Sequence, residues 1–375
     1  MLIGFDGSRA FAKGKTGTEN YSYYLLKALA KIDTENQYKV YIRPGCKINK
    51  KDWPDNFEFF LINYSRFWTQ IGLALQTFED KLDLLFVPAH TLPLFRKPGL
   101  KTIMTVHDLG AEYLPSMHQL KQNLYLGFIT NFQLKTATRL IAVSESTKAD
   151  LVEKGGVKDR KIQVIYEGVD RDFFKLVKSD RLRNSLKSFS IENKKYFLFV
   201  GTIQPRKNLE RIIKAFSAFT QISDDYKLVL VGAKGWKADQ IYKLPKELGI
   251  EDRVKFLGRV SNKYLPSLYS GALALVYLSL YEGFGLPILE AMSSNCPVIT
   301  SNISSMPEVA GEAAILVNPA DIEEITTAMS KIASDDRLRD NLIHKGQVQA
   351  KKFSWDICAK KTLQLFKSIY HDRNY

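Results

Sequence analysis

The stretch Ala272–Met292, ALALVYLSLYEGFGLPILEAM, changes character twice within a short span. Ala272–Ser279 is an apolar run that reads as a strand, and Pro287–Ser294 has the pattern of a helix. Between them lies a loop carrying Gly283 and Gly285, which let backbone approach a ligand closely and adopt unusual dihedrals. Pro287 suits the first turn of a helix, so the amides of Phe284, Gly285 and Leu286 sit at a helix N-terminus, where phosphate is attracted. Glu282 precedes the turn and Glu290 lies about one turn into the helix, so both can face one ligand. An ionised carboxylate only accepts hydrogen bonds, which suits adjacent sugar hydroxyls. Phosphate donors between two hydroxyl acceptors match the polarity of a nucleotide sugar.

The same strand–loop–helix grammar runs outward in both directions. Met1–Asp6, Tyr38–Ile42, Leu84–Pro88, Lys101–Val106, Arg139–Val143 and Lys161–Tyr166 read as strands. Tyr21–Ile32 is spaced as a helix, and Ser144 marks a capped helix start. A second series follows, with strands at Tyr196–Gly201, Lys227–Gly232, Arg253–Leu257, Pro297–Thr300 and Ala314–Val317 and helices at Leu209–Gln221, Leu265–Ser270 and Ile322–Ser330. Repeated β–α alternation means parallel sheets covered by helices. The expected architecture is α/β: two doubly wound Rossmann-like domains, residues 1–174 and 196–354, joined by a polar, basic linker over 175–195. Such sheets bind ligands at the carboxyl ends of their strands, so the expected site is a cleft across which the two domains face.

Two further strand ends carry chemistry. After Tyr196–Gly201, Arg206 and Lys207 stand ahead of a helix, where cations oppose the helix dipole. They can neutralise a diphosphate and stabilise it as a leaving group. His107 follows Lys101–Val106 directly, and its neutral form can donate or accept one hydrogen bond. The net charge of +14 has its largest excess over residues 181–280, whereas 281–340 is acidic. That excess suits an anionic ligand or surface.

Composition and motifs exclude much else. With 45% hydrophobic and 25% charged residues the chain is neither disordered nor collagen-like. The longest apolar run, Gly271–Leu280, is too short to span a bilayer, and Met1–Gly7 lacks the parts of a signal peptide. Cys46, Cys296 and Cys358, without CxxC spacing, fit reduced thiols in a cytoplasm. Gly14-Lys15-Thr16 fails as a P-loop because position 9 is Arg9. No GxGxxG, HExxH or GxSxG occurs, and Asp170-Arg171-Asp172 reads as a solvated turn, so no metal site is expected. A nucleic-acid-binding α/β protein would show a basic, aromatic stripe without a donor-site pattern, and here the basic residues surround one.

Taken together these residues resemble the retaining nucleotide-sugar glycosyltransferases of family 4, which have the GT-B fold, over nearly the whole chain. Tyr281–Met292 is similar to the EGFGLPxLEAM signature and its E-x7-E pair, Gly201–Leu209 to the donor-phosphate segment, and Val298–Thr300 with Met306–Gly311 to the usual continuation. Tyr166–Asp170 resembles the turn that ends the first domain, Gly14–Leu26 its glycine loop and first helix, and Phe353–Trp355 the entry to a helix, 355–375, that completes the first domain. The resemblance implies that Arg206 and Lys207 bind the diphosphate and that Glu282 holds donor-sugar hydroxyls as the catalytic carboxylate. It implies main-chain contacts from Phe284, Gly285 and Leu286, ribose contacts from Glu290 and base contact near Val260. Gly17 would approach the diphosphate from the first domain, and His107 would sit by the anomeric centre. One departure is Leu278 ahead of Ser279, where the family often has proline.

The implied reaction is metal-independent, cofactor-free hexosyl transfer with retention, by a front-face path in which the leaving phosphate helps deprotonate the acceptor. GTIQPRKNL (201–209) and Val231–Trp236 resemble bacterial mannosyltransferases, which favours GDP-mannose over UDP-glucose and related donors. A UDP-glucose-type transferase or a sugar-nucleotide epimerase of the same fold is the competing reading. The expected acceptor is a glycan or lipid-linked oligosaccharide in surface-polysaccharide or lipopolysaccharide assembly, with no nucleic-acid partner. The expected location is cytoplasmic, peripheral on the inner face of the membrane. Gln119–Lys135, with Leu120, Leu124, Tyr125, Phe128 and Phe132 at helical spacing, is the candidate interfacial helix.

Overall fold

Runs such as LLFV and KLVLV, apolar and nearly continuous, form strands only where both faces of a sheet are covered. The computed structural model describes residues 1–12, 17–89, 91–109, 131–223 and 225–372, and within them such strands build two parallel sheets. The chain divides into one unit made of Met1–Gly168 with Trp355–Tyr375 and a second made of Val169–Ser354.

The first unit runs β1 (Leu2–Asp6), α1 (Gly17–Ile32), β2 (Gln37–Ile42), β3 (Phe57–Leu61), a π turn Trp68–Leu73 continued by α2 (Ala74–Glu79), β4 (Leu84–Val87), β5 (Lys101–Val106), β6 (Arg139–Ala142), α3 (Glu145–Glu153) and β7 (Ile162–Val164). The strand order is β3-β2-β1-β4-β5-β6-β7, all parallel. The expected cap is present: the Ser144 side chain accepts from Thr147 N at the start of α3. Edge strand β3 was not anticipated, because only Phe57 of its side chains is buried and Phe57–Leu61 lacks clean alternation.

The second unit runs α4 (Ser179–Lys187), β8 (Tyr196–Val200), α5 (Leu209–Thr220), β9 (Lys227–Val231), α6 (Asp239–Glu247), β10 (Val254–Gly258), α7 (Leu265–Gly271), β11 (Ala274–Tyr277), α8 (Leu286–Ser293), β12 (Val298–Ser301), α9 (Met306–Ala310), β13 (Ile315–Val317), α10 (Ile322–Ser334) and α11 (Asp336–Ala350). Its order is β10-β9-β8-β11-β12-β13. The last helix, α12 (Trp355–His371), returns to the first unit: Trp355 stacks on Tyr24 of α1 at 5.5 Å and Phe366 meets Phe86 of β4 at 5.2 Å.

Two boundaries differ from the sequence reading. The first unit ends at Gly168, not residue 174. The stretch 175–195 is no linker, because it belongs to the second unit and holds α4. Leu186 is buried, Ser267 of α7 donates to Ser185, and Lys194 N bonds Gly271 O at 2.7 Å. Its surface charge gave it a linker's composition, while buried Leu186 and Ile191 and these bonds anchor it.

Candidate functional site

In the second sheet the strand order reverses between β8 and β11, which pair with Leu198 opposite Leu275. Chain leaving two such neighbours diverges to opposite faces and opens a crevice at their carboxyl ends. The two loops that leave there are Gly201–Asn208 and Leu278–Gly285, the segments that the sequence singled out. They are joined: Leu280 N donates to Arg206 O at 2.9 Å, and the Arg206 guanidinium donates to Tyr281 O at 2.6 Å.

Arg206, Lys207 and Glu282 meet as one cluster. Arg206 Nη1 lies 3.0 Å from Glu282 Oε2, and Lys207 Nζ donates to Glu282 Oε1 and, at 2.9 Å, to the Tyr277 hydroxyl. Lys207 is 7% exposed and Glu282 8%, a depth at which charges persist only when paired. Burial pushes the Glu282 carboxyl up, but Lys207 and then Arg206 outweigh it and hold the carboxyl down at about 2. Two cationic side chains thus converge on one ionised carboxylate.

The glycine loop is pinned from behind. Ser304 accepts from Glu282 N and donates to Glu282 O, while Ser305 donates to Glu282 O and Phe284 O. Ser304 takes a left-handed φ of 58° to make this reciprocal clamp, a strain of the kind that collects at functional sites. Gly285, at φ 113°, is the N-cap of α8, and Pro287 follows in the first turn. With the carbonyls held by serines, the start of α8 has Ile288 N bonded to Gly285 O at 3.0 Å and Pro287 without an N–H, so Leu286 carries the first helical amide that intrahelical bonding leaves over. The neighbouring loops also press together: a Cβ on Gly232 would stand 1.8 Å from the Gly201 carbonyl oxygen.

Glu290 takes a separate partner, the Tyr269 hydroxyl of α7 at 2.7 Å. Burial pushes its carboxyl up to about 7, against the opposing Tyr269 hydrogen bond. Val260 lies just beyond the carboxyl end of β10, half-buried. Asp170, tested as part of a metal triplet, accepts from its own turn, from Asp172 N and Phe173 N.

His107 and Gly17 belong to the first unit. Gly17 opens α1, exposed, with open space where a Cβ would stand. Residues 13–16, including Gly14-Lys15-Thr16, lie outside the described residues. His107 is held from two sides. Nδ1 faces Glu167 Oε1 at 3.0 Å and Nε2 faces the Pro88 carbonyl at 3.1 Å, so both nitrogens meet acceptors. Burial opposes charge on the ring, but Glu167 outweighs it, with Pro88 and Asp108 adding, and the pKa is held above its ordinary value. Sequence reading missed Tyr277, Tyr269, Ser304, Ser305 and Glu167. Only Glu167 carried a signal, an acid inside the YEGVD turn.

The family model "Glycosyltransferase Family 4" matches residues 16–173, and "Glycosyl transferases group 1" matches residues 180–349. The chain belongs to this family of glycosyltransferases, and its two parallel-sheet Rossmann-like units make the fold GT-B. It is 34% identical over 266 residues to the O-antigen chain mannosyltransferase RfbU of Salmonella typhimurium, covering 71% of this chain and 69% of that one. It is 31% identical over 270 residues to O-antigen chain mannosyltransferase B of Escherichia coli, covering 72% and 71%. Sucrose-phosphate synthase from Thermosynechococcus elongatus superposes with a TM-score of 0.80 over 98% of this chain and 99% of that one, at 21% identity.

Proposed function

We propose that the protein transfers mannose from GDP-mannose to a glycan or lipid-linked oligosaccharide in surface-polysaccharide assembly, with retention and without a metal ion. The observation that carries this reading is the Arg206–Lys207–Glu282 cluster beside the N-terminus of α8, at the reversal point of the sheet. A diphosphate arriving there finds two cations and the positive N-terminal end of α8, which together can stabilise the departing charge in place of a divalent ion. Glu282 stays ionised and accepts from donor-sugar hydroxyls. A carboxylate held by both an ammonium and a guanidinium is a poor nucleophile, which favours front-face departure and attack over double displacement. Glu290 would accept the ribose hydroxyls. Mannose is favoured because the O-antigen relatives are named as mannosyltransferases.

The acceptor being lipid-linked, the protein would work at the inner face of the cytoplasmic membrane. Among the described residues no helix is long and apolar enough to cross a bilayer, so attachment there would be peripheral. The segment 119–135 proposed for this from sequence lies, up to residue 130, outside the described residues. A different surface supports the reading. Phe67, Ile71, Leu75 and Phe78 are exposed along the π turn and α2. The adjacent loop, tied down by Leu94 N to Gln70 and Lys97 N to Thr77, exposes Phe95 at 80%. Exposed Arg66 and Lys81 supply charge suited to anionic headgroups.

The deciding experiment is a donor-hydrolysis screen across GDP-, UDP- and dTDP-sugars in excess EDTA. GDP-mannose turnover is expected. Turnover of UDP-glucose alone would favour the competing donor, and activity restored only by magnesium or manganese would refute metal independence.

A further inference from the structure

Tyr277 ends β11, a central strand whose other residues, Ala274, Leu275 and Val276, are apolar and buried. A phenol 2% exposed among such residues needs a partner for its hydroxyl to offset the lost water. That partner is the Lys207 ammonium, which donates to it at 2.9 Å. Glu282 and Ser279 also bear on the hydroxyl. The ring is fixed by the sheet. It stacks on Phe199 of β8, with centres 6.1 Å and planes 19° apart, and Thr300 of β12 donates to the Tyr277 carbonyl at 2.7 Å. It reaches to the start of α8, where a Cβ on Gly285 would stand 4.0 Å from Tyr277 Cε1.

Lys207 is held differently. It closes the 3-10 turn Pro205–Lys207, and the next residue, Asn208, takes a φ of 59° and donates to Pro319 O at 2.7 Å, which pins the main chain. The charge, however, rides on a flexible four-carbon stem. Two directed bonds, to Glu282 Oε1 and to the Tyr277 hydroxyl, fix where the ammonium points. Of these two anchors Glu282 is shared, because its Oε2 takes Arg206 at 3.0 Å and its carboxylate is the group assigned above to the donor-sugar hydroxyls. Tyr277 stands on the sheet, before the loop begins.

We propose that Tyr277 is a positioning residue: from the sheet it holds the Lys207 ammonium in place while Glu282 engages the sugar, so that the cation is aligned when charge builds on the departing diphosphate. This rests on the reading above, in which Lys207 meets the diphosphate and Glu282 the sugar. A cation already in place costs no reorganisation as the bond breaks, so its alignment weighs on the transition state more than on the bound donor. The contribution of the hydroxyl therefore falls in kcat, and it passes through Lys207.

Tyr277→Phe keeps the ring, its stacking on Phe199 and its 5.1 Å approach to the ammonium, and removes only the oxygen. It is compared with Lys207→Met and with the double variant, each shown to be folded by its urea transition. The readout is donor hydrolysis by the full chain, with GDP-mannose and with UDP-glucose. Lys207→Gln takes the place of Lys207→Met if the latter does not fold. In the otherwise unaltered chain Tyr277→Phe should lower kcat about tenfold, with KM changed by less than about threefold. In the Lys207→Met background the same change should alter kcat by less than about twofold. A merely structural hydroxyl would lower kcat by the same factor in both backgrounds, and that result overturns the proposal. So does an unaltered kcat in folded Tyr277→Phe, or a loss confined to KM. Full hydrolysis of either donor by Lys207→Met is a different failure: it would remove Lys207 from the diphosphate, and the proposal with it.

Discussion

Replacing Glu282 by alanine should separate the two roles of its carboxylate. In the folded protein Lys207 and Arg206 hold that carboxyl at about 2 against an ordinary value of 4.5, a difference worth about 3 kcal/mol. Because the folded value is depressed, this stability is present above pH 4.5 and is lost as pH falls toward 2. Glu282→Ala removes it and takes the Glu282 carboxylate away from buried Lys207, which keeps the Tyr277 hydroxyl. Breaking one side of a buried pair costs about 3–5 kcal/mol, so stability in urea at pH 7 should fall by about that much. Transfer should fall about a hundredfold or more, the size of a lost transition-state contact of about 3 kcal/mol. The double variant Glu282→Ala/Lys207→Met replaces the stranded ammonium with an apolar chain of similar length. It should regain most of the stability and none of the activity. Full activity in folded Glu282→Ala would refute the site. Additive destabilisation in the double variant would refute the paired charges as the source of stability.

Two other outcomes follow from particular contacts. Tyr269→Phe removes the hydrogen bond that opposes burial at Glu290, so the carboxyl rises above about 7; donor KM should then improve only at higher pH than in wild type, and an unchanged KM–pH curve would take Glu290 away from the donor. In liposome flotation, binding should require anionic lipid, weaken with salt and drop on changing Phe67 and Phe95 to glutamate; equal recovery with neutral vesicles, or unaltered binding by that variant, would remove the exposed stripe from the membrane.

Part of the fold was legible because its cause is local. Buried parallel strands need continuous apolar runs, and Leu84–Val87, Lys227–Val231 and Ala274–Tyr277 advertise themselves. Gly285 and Pro287 likewise mark the start of α8, because a left-handed cap and a proline in the first turn are properties of single residues. Where the cause is distant, the sequence was silent or misleading. Phe57–Leu61 is a strand because β2 lies beside it, and 175–195 is anchored because Leu186, Val177 and Lys194 find partners around α7. The sequence alone determined the alternation of elements and which loops carry cations, carboxylates and glycines. The tertiary structure decided that Arg206 and Lys207 neutralise Glu282 and that His107 faces Glu167. It also decided that serines from beyond β12 clamp the glycine loop. The physical reason is strand order: β8 and β11 are neighbours in the sheet though far apart in the chain, and charges that linear spacing leaves separate are brought within hydrogen-bond range where those strands end.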